Sequence, residues 1–526
     1  MSNKIYPIGI QSFEKIRRNG YFYIDKTALI YRLVKTGSYY FLSRPRRFGK
    51  SLLISTLEAY FSGVRELFEG LDLEQLEKEW KKHPVLHLDL NIGKYDTPHS
   101  LDDILNKALL EWEAIYGTGV GEVTLALRFA GVVERAYKKT GEGVVILVDE
   151  YDKPMLQAIG ERKLQVEFRS TLKSFYSVLK TMDRYIRFAL LTGVTKFGKV
   201  SVFSDLNNLN DISMYEPFVS ICGMTEKEIH DNLEEDLYEL AAMQKMTYER
   251  VCAELKDCYD GYHFVEDSEG IYNPFSLLNA FDMNDIRDYW FASGTPTYLI
   301  KLLRHNHEQM DELTGRYYDP SMFVDYKADV EKPLPMIYQS GYLTIKEYDS
   351  RRNRYLLDFP NNEVKKGFLT MVAANYFKPQ EFEVSNWIVD AVILLEEGET
   401  TAFCSALTSF LADIPYDSHG SIKTVEATEK HFQYTFYLIL RLLGVYCQLH
   451  VEKTQSRGRV DCVLETKDYV YIFEFKLDGT AAEALQQIED KGYATPYQTD
   501  TRKVTAIGVS FSSETMTVEE WEEKTL

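Results

Sequence analysis

Apolar residues along the chain follow two alternating rhythms. YYFLS (39–43) and VVILV (144–148) are short apolar runs ending in polar or turn-forming residues, the pattern of strands buried on both faces of a parallel sheet. VLHLDL (85–90) and IRFALLTG (186–193) read the same way. Between them, SLLISTLEAYF (51–61) and QVEFRSTLKSFYSVLKTM (165–182) repeat apolar residues at three and four, so each predicts a helix with one buried face. The alternation predicts a doubly wound α/β sheet. From 224 onward the pattern becomes helical segments joined by Tyr-rich loops, YDGYHF (259–264), YNPFSLLNAF (272–281) and FASGTPTYLI (291–300), with no catalytic motif. After Pro379 a helical region leads through EATEKHFQYTFYLILRLLG into strands near 445–451, 458–465, 469–476 and 503–511, a second α/β unit. These changes divide the chain into residues 1–222, 223–378 and 379–526.

Length agrees with more than one core. The chain has 526 residues, whereas single cores stop growing at about 250–300. Its 45% hydrophobic and 27% charged residues are ordinary globular usage, so compact folding throughout is expected. No signal-peptide core opens the chain and no run of about 18 apolar residues follows, so a cytoplasmic protein with no membrane contact is expected. The six cysteines form no CxxC pair, and His305 and His307 have no nearby Cys or Asp at zinc spacing, so reduced thiols and no zinc site are expected. The formal charge of −20 excludes a broadly basic, nucleic-acid-coating protein. Contact with DNA or RNA must be local or metal-mediated.

Against that background, FLSRPRRFGKSLLISTL stands out as strand, loop, Gly49-Lys50-Ser51 and helix. In that context Lys50 can reach the β/γ-phosphates of ATP and Ser51 can ligate Mg²⁺. The helix N-terminus, with Gly49 before it, presents free amides. Arg44 stands where the motif's first glycine belongs. Further on, VVILVDEYDKP ends a buried strand in Asp149-Glu150, the arrangement in which one acid holds the Mg²⁺ shell and the next polarises the attacking water. Thr192 ends another strand as a candidate polar sensor near the γ-phosphate, with Thr195 and Lys196 as alternatives. Arg46 and Arg47 have three readings: contact with phosphate, action across the subunit interface of a homo-oligomer, or a solvated loop face.

Near the C-terminus, Asp461 follows a Gly-Arg turn, and Glu474 and Lys476 share one face of the next strand with Phe475 opposite. Asp461 and Glu474 can hold a Mg²⁺ or Mn²⁺ ion while Lys476 orients or activates water. Glu429 falls on the stripe of Phe432, Phe436 and Leu440, so it is expected to face inward at a helix start, with Glu426 one turn earlier as the alternative. Gln487 and Tyr493 follow on a helix, where an amide and a phenol can contact phosphate or place water. Arg459 can meet phosphate, or be an exposed strand-end arginine.

Taken together, FYIDKTALI (22–30), FLSRPRRFGKSL, VVILVDEYDKP, LLTGVTKF, SDLNNLNDIS (204–213), YDGYHF, YNPFSLLNA, GTPTYL (294–299), SGYLTI (340–345) and the Glu474-x-Lys476 block resemble the bacterial family that joins an AAA-ATPase-like domain to a PD-(D/E)XK nuclease domain. That family carries Arg-Pro-Arg-Arg in its P-loop, which makes Arg44 a family feature. The resemblance implies ATP and Mg²⁺ at Lys50, Ser51 and Asp149, and nuclease roles for Glu429, Asp461, Glu474, Lys476 and Gln487. The expected activity is ATP-gated cleavage of DNA or RNA, with roles in defence or mobile-element biology by analogy. The competing reading is a nucleotide-switched scaffold whose nuclease fold no longer cuts.

Overall fold

The computed structural model describes residues 4–196, 208–292, 299, 313–324, 332–377, 381–412, 438–455, 458–515 and 517–526. These form two compact units, one reaching to Val364 and the other running from Lys365 to Leu526.

The first unit is built on a parallel sheet of β1 (Tyr39–Ser43), β2 (Val85–Asp89), β3 (Val144–Asp149), β4 (Ile186–Gly193) and β5 (Asn210–Asp211), in the order β2-β3-β4-β1-β5. β3 is buried at every residue, as its unbroken apolar sequence requires of an inner parallel strand. The helix Lys50–Phe61 packs against β3. The helix Leu125–Thr140 opens on a Thr124 cap and closes on Gly141, whose φ of +72° suits a residue without a Cβ. The predicted helix over 165–182 breaks at Ser177 into Arg162–Tyr176 and Val178–Thr181, where the Ser177 hydroxyl donates to the Ser174 carbonyl.

Residues from 224 to 364 belong to the same unit. Thr225 and Glu228 form a reciprocal cap on the helix Glu226–Gln244. That helix packs with Tyr248–Tyr259 and Pro274–Met283 around Leu233, Leu237, Leu240, Val251, Leu255 and Leu277. The two-stranded pair β6 (Met224–Thr225) and β7 (Ile271–Tyr272) joins them. This region is not purely helical: β8 (Arg316–Tyr318), β9 (Thr344–Asp349) and β10 (Arg354–Asp358) form an antiparallel sheet in the order β8-β10-β9. Its strands are too short to declare themselves by alternation. Phe48 of the P-loop meets the rings of Tyr262 at 4.8 Å and Phe264 at 5.7 Å, so the middle region walls the phosphate loop. The GTPTYL motif lies outside the described residues except Leu299, as does the start of SDLNNLNDIS.

The second unit carries the helices Glu381–Glu397 and Thr400–Ala412 and a mixed sheet, β11 (Gln448–Gln455), β12 (Gly458–Glu465), β13 (Tyr469–Leu477), β14 (Lys503–Ser512) and β15 (Thr517–Thr525), ordered as numbered. β13 and β14 run parallel and the other neighbours antiparallel. β15 was not expected, because TVEEWEEKT has no apolar alternation; it is an exposed edge strand held mainly by its backbone pairing to β14. The helix Ala481–Lys491, capped reciprocally by Thr480 and Glu483, packs on β13 and β14.

Candidate functional sites

In the first unit, β1 delivers the chain into the loop 44–49 and the helix Lys50–Phe61 carries it away. Gly49, with φ +94°, makes the turn into the helix. Lys50 is 4% exposed, and its ammonium donates to the carbonyls of Arg44 at 3.1 Å and Pro45 at 3.2 Å and lies 3.3 Å from a Glu150 carboxylate oxygen. Asp149 ends β3 buried; its Oδ1 accepts from the Thr192 hydroxyl at 2.6 Å and from the Glu150 amide at 3.1 Å. Thr192 is therefore the strand-end hydroxyl bonded to Asp149. Thr195 instead donates to Asp152, and Lys196 pairs with Asp211 at 2.8 Å.

Arg44 explains how the loop tolerates the missing glycine. Its guanidinium is buried beneath the loop, donates to the carbonyls of Ser43, Ser213, Phe218 and Val219, and lies 3.9 Å from the Phe264 ring centroid. The side chain points away from the phosphate cradle and fastens the loop to its surroundings. Arg47 is exposed and lies over Phe275 at 4.7 Å, and the Arg46 carbonyl accepts from the Trp290 indole at 3.2 Å. Gly49, Lys50, Ser51, Glu150, Arg46 and Arg47 all line one cavity of about 960 Å³, whose lining also includes the apolar Ile8, Met224 and Leu278.

Sequence reading missed Asp152. It is fully buried and accepts from the amides of Val194 and Thr195 as well as the Thr195 hydroxyl. Burial, then the charge of Glu150, raises its carboxyl to about 6. The only hint in sequence is a second acid in the turn after Glu150.

In the second unit, Asp461 sits on β12 and Glu474 and Lys476 on β13. Asp461 Oδ2 accepts from the Phe475 amide at 3.0 Å, which brings its carboxylate beside Glu474. Phe475 turns to the other face and stacks with Phe473. Gln487 bridges the pair, accepting from Lys476 Nζ at 2.5 Å and donating to Glu474 Oε1. Glu474 is 2% exposed, and among the described residues its Oε2 has no hydrogen-bond partner. Burial, then the charge of Asp461, pushes its carboxyl up to about 7.

Gly508 makes this bridge geometrically accessible. It pairs with Glu474 in register, and a Cβ there would lie 2.3 Å from the Ala481 carbonyl and 2.9 Å from the Leu485 amide. Only glycine lets the helix carrying Gln487 approach β14 so closely, a constraint invisible in sequence. Tyr493, expected on the helix near phosphate, lies past the Gly492 cap in the apolar core with Val463 and Ile472. Glu429 and Glu426 lie outside the described residues, and nothing is described of the Arg459 side chain. Among the described residues no group of three or more His, Cys, Asp or Glu side chains gathers as a metal cluster. The two carboxylates and the unpartnered buried oxygen nevertheless fit a hard divalent ion that keeps several waters.

Comparisons with known proteins divide the chain in the same way. A family model described as predicted AAA-ATPase matches residues 7–203, and one described as PD-(D/E)XK nuclease superfamily matches residues 427–521. A protein of Azotobacter chroococcum mcd 1, described as "Uncharacterized protein in vnfD 5'region", is 34% identical over 523 residues, spanning 98% of this chain and 98% of its own length. Among the described residues no helix is long and apolar enough to cross a membrane. With two matched domains in this order and a relative alike over nearly its whole length, the chain belongs to the family that joins an AAA-ATPase-like domain to a PD-(D/E)XK nuclease domain.

Proposed function

We propose that this chain is an ATP-binding, metal-dependent nuclease that hydrolyses phosphodiester bonds of DNA or RNA, with the nucleotide state of its P-loop controlling cleavage. The observation that carries the nuclease half is Glu474, a buried carboxylate with one oxygen held by Gln487 and the other unpartnered among the described residues, beside Asp461. An oxygen in that position is costly unless a cation meets it. Asp461 and Glu474 would hold Mg²⁺ or Mn²⁺, with Glu429 as a further carboxylate. Such an ion, when bound, supplies a water of lowered pKa and neutralises charge developing on the phosphate. Lys476 orients the attacking water, and Gln487 keeps Glu474 and Lys476 apart at a fixed spacing.

In the first unit Lys50 would neutralise the β/γ-phosphates of ATP, and Ser51 and Asp149 would hold the accompanying Mg²⁺ shell. Thr192 fixes the Asp149 carboxylate through its hydrogen bond. Glu150 takes the proton of the attacking water. Arg46 and Arg47 meet the phosphate tail or act across the interface of a homo-oligomer. We place this activity in the cytoplasm.

A second reading, a nucleotide-switched scaffold with a silent nuclease fold, is favoured by the net charge of −20, which repels nucleic acid. One experiment separates the two. Purified protein is incubated with single- and double-stranded DNA and RNA, with and without ATP and Mg²⁺ or Mn²⁺. Metal-dependent cleavage lost in Asp461→Ala supports the nuclease; no cleavage of any substrate under any condition leaves the scaffold.

A further inference from the structure

The turn after β3 holds Glu150 at φ +52°. This is the left-handed region, which a side-chain-bearing residue keeps only where its surroundings hold it. The next two residues provide the hold. The Tyr151 amide donates to the Thr192 carbonyl at 2.9 Å and its hydroxyl to the Thr195 carbonyl at 2.8 Å, while its ring packs edge-on against Phe41 of β1. Asp152 then accepts from the Val194 amide at 3.1 Å, the Thr195 amide at 2.6 Å and the Thr195 hydroxyl at 2.7 Å. Gly193 is the contact point, since a Cβ there would lie 2.6 Å from Asp152 Oδ1 and 2.7 Å from the Tyr151 ring.

A carboxylate buried with three donors is a rigid clasp, because breaking any one bond leaves a buried polar group unsatisfied. What it joins are two strand exits that face the same cavity: Glu150 and Val194 both line it. A purely structural clasp could sit anywhere in the sheet; this one is two residues from the carboxylate that meets Lys50.

We propose that Asp152 is a positioning residue of the nucleotide site: by clasping the turn after β4 it holds Glu150 in its left-handed conformation, with its carboxylate against Lys50 and aimed at the attacking water. The inference rests on reading Glu150 as the base of an ATPase. In that step the water oxygen bonds to the γ-phosphorus, the bond from that phosphorus to the β–γ bridging oxygen breaks, and ADP leaves with the electron pair while Glu150 takes the water proton. Asp152 transfers nothing; it acts through Glu150.

The test uses the full chain, a fluorescent ATP analogue for binding and steady-state ATP hydrolysis. Asp152→Asn keeps the size but removes the charge: all three close donors meet Oδ2, so the amide oxygen holds them more weakly, and the N–H₂ takes the place of Oδ1, donor against donor with the Val194 amide at 3.3 Å. Its kcat is expected to fall at least about tenfold while nucleotide Kd changes less than about threefold. Glu150→Gln slows hydrolysis as well, and Glu150→Gln combined with Asp152→Asn is no slower than Glu150→Gln alone, since both act on one step. Thr195→Val, which removes one donor at similar volume, slows hydrolysis in the same direction by less and decides the matter if Asp152→Asn fails to fold. Hydrolysis by Asp152→Asn, or then by Thr195→Val, within twofold of wild type, a further slowing on top of Glu150→Gln, or affinity lost in step with rate overturns the assignment of Asp152 alone. A wild-type chain that binds no ATP, or binds it without hydrolysis, overturns the ATPase reading and this inference with it.

Discussion

The two candidate sites handle the same pair of residue types in opposite ways. In the first unit the lysine meets the glutamate directly, Lys50 Nζ lying 3.3 Å from Glu150. In the second unit an amide stands between them, so that Lys476 bonds Gln487 and Gln487 bonds Glu474. In the first site the acid is thus already met by an ammonium, which under the proposed function would turn to phosphate. The second leaves a buried carboxylate raised to about 7, with one oxygen unpartnered among the described residues, which the proposed function would meet with a metal ion.

The largest expected effect lies in the second unit. Asp461→Ala removes a carboxylate next to Glu474, and cleavage is expected to fall on the order of a thousandfold, about 4 kcal/mol of barrier. ATP affinity stays within about twofold, because the sites belong to different units. Cleavage assays alongside nucleotide titration check both halves, and residual metal-dependent cutting at wild-type rate would remove Asp461 from the site.

Lys50→Ala tests the anion-receiving side. Losing the ammonium that would face phosphate is expected to weaken ATP binding about 100-fold, about 3 kcal/mol. Under gating, cleavage by this variant no longer responds to ATP. Unchanged nucleotide affinity by calorimetry would contradict the P-loop assignment, whereas cleavage matching wild type with and without ATP would uncouple the two sites.

A third carboxylate separates burial from ligand need. Glu363 is also buried and raised to about 7 by burial, yet both its oxygens are satisfied, by the Trp290 amide and the Ser276 hydroxyl. Its folded pKa lies above the ordinary value of 4.5, so the folded state holds the proton more tightly. Its contribution to stability is full below about pH 4.5 and is lost as pH rises through about 7. Glu363→Gln is expected to flatten that decline, by up to about 3 kcal/mol between those limits. Urea unfolding of wild type and variant across this range measures it, and parallel pH curves would refute it. Added Mn²⁺ should leave the difference between the two curves unchanged, in contrast to variants of Glu474.

The smallest effect is Gly508→Ala. The new Cβ has nowhere to go but into the Ala481 carbonyl, so the helix carrying Gln487 must shift, at a cost of about 1–3 kcal/mol. A lowered unfolding midpoint together with slower cleavage is expected. Full activity at reduced stability would show that the Gln487 bridge does not need that close approach.

Residues whose task is set by near neighbours were legible without a structure. The unbroken apolar runs of β1, β3 and β4, the Gly49-Lys50-Ser51 turn and the acid at the end of β3 each follow from a few consecutive residues, because strand burial and helix entry are local events. The shared face of Glu474 and Lys476 follows from a period of two. β15 and the short strands β8 to β10 carry no such local signal, since pairing with a distant strand made them strands.

Tertiary structure alone decided the rest. Arg44 became an anchor because carbonyls from residues 213 to 219 surround it, whereas the motif suggested only a missing glycine. Asp152 acquired a role because β4 ends beside β3, bringing Val194 and Thr195 to its carboxylate. Gln487 reached Glu474 because Gly508 lets a helix settle onto the sheet. Which side chain completes a buried hydrogen bond depends on chain segments far apart in sequence, and no local pattern of hydrophobic and polar residues records that choice.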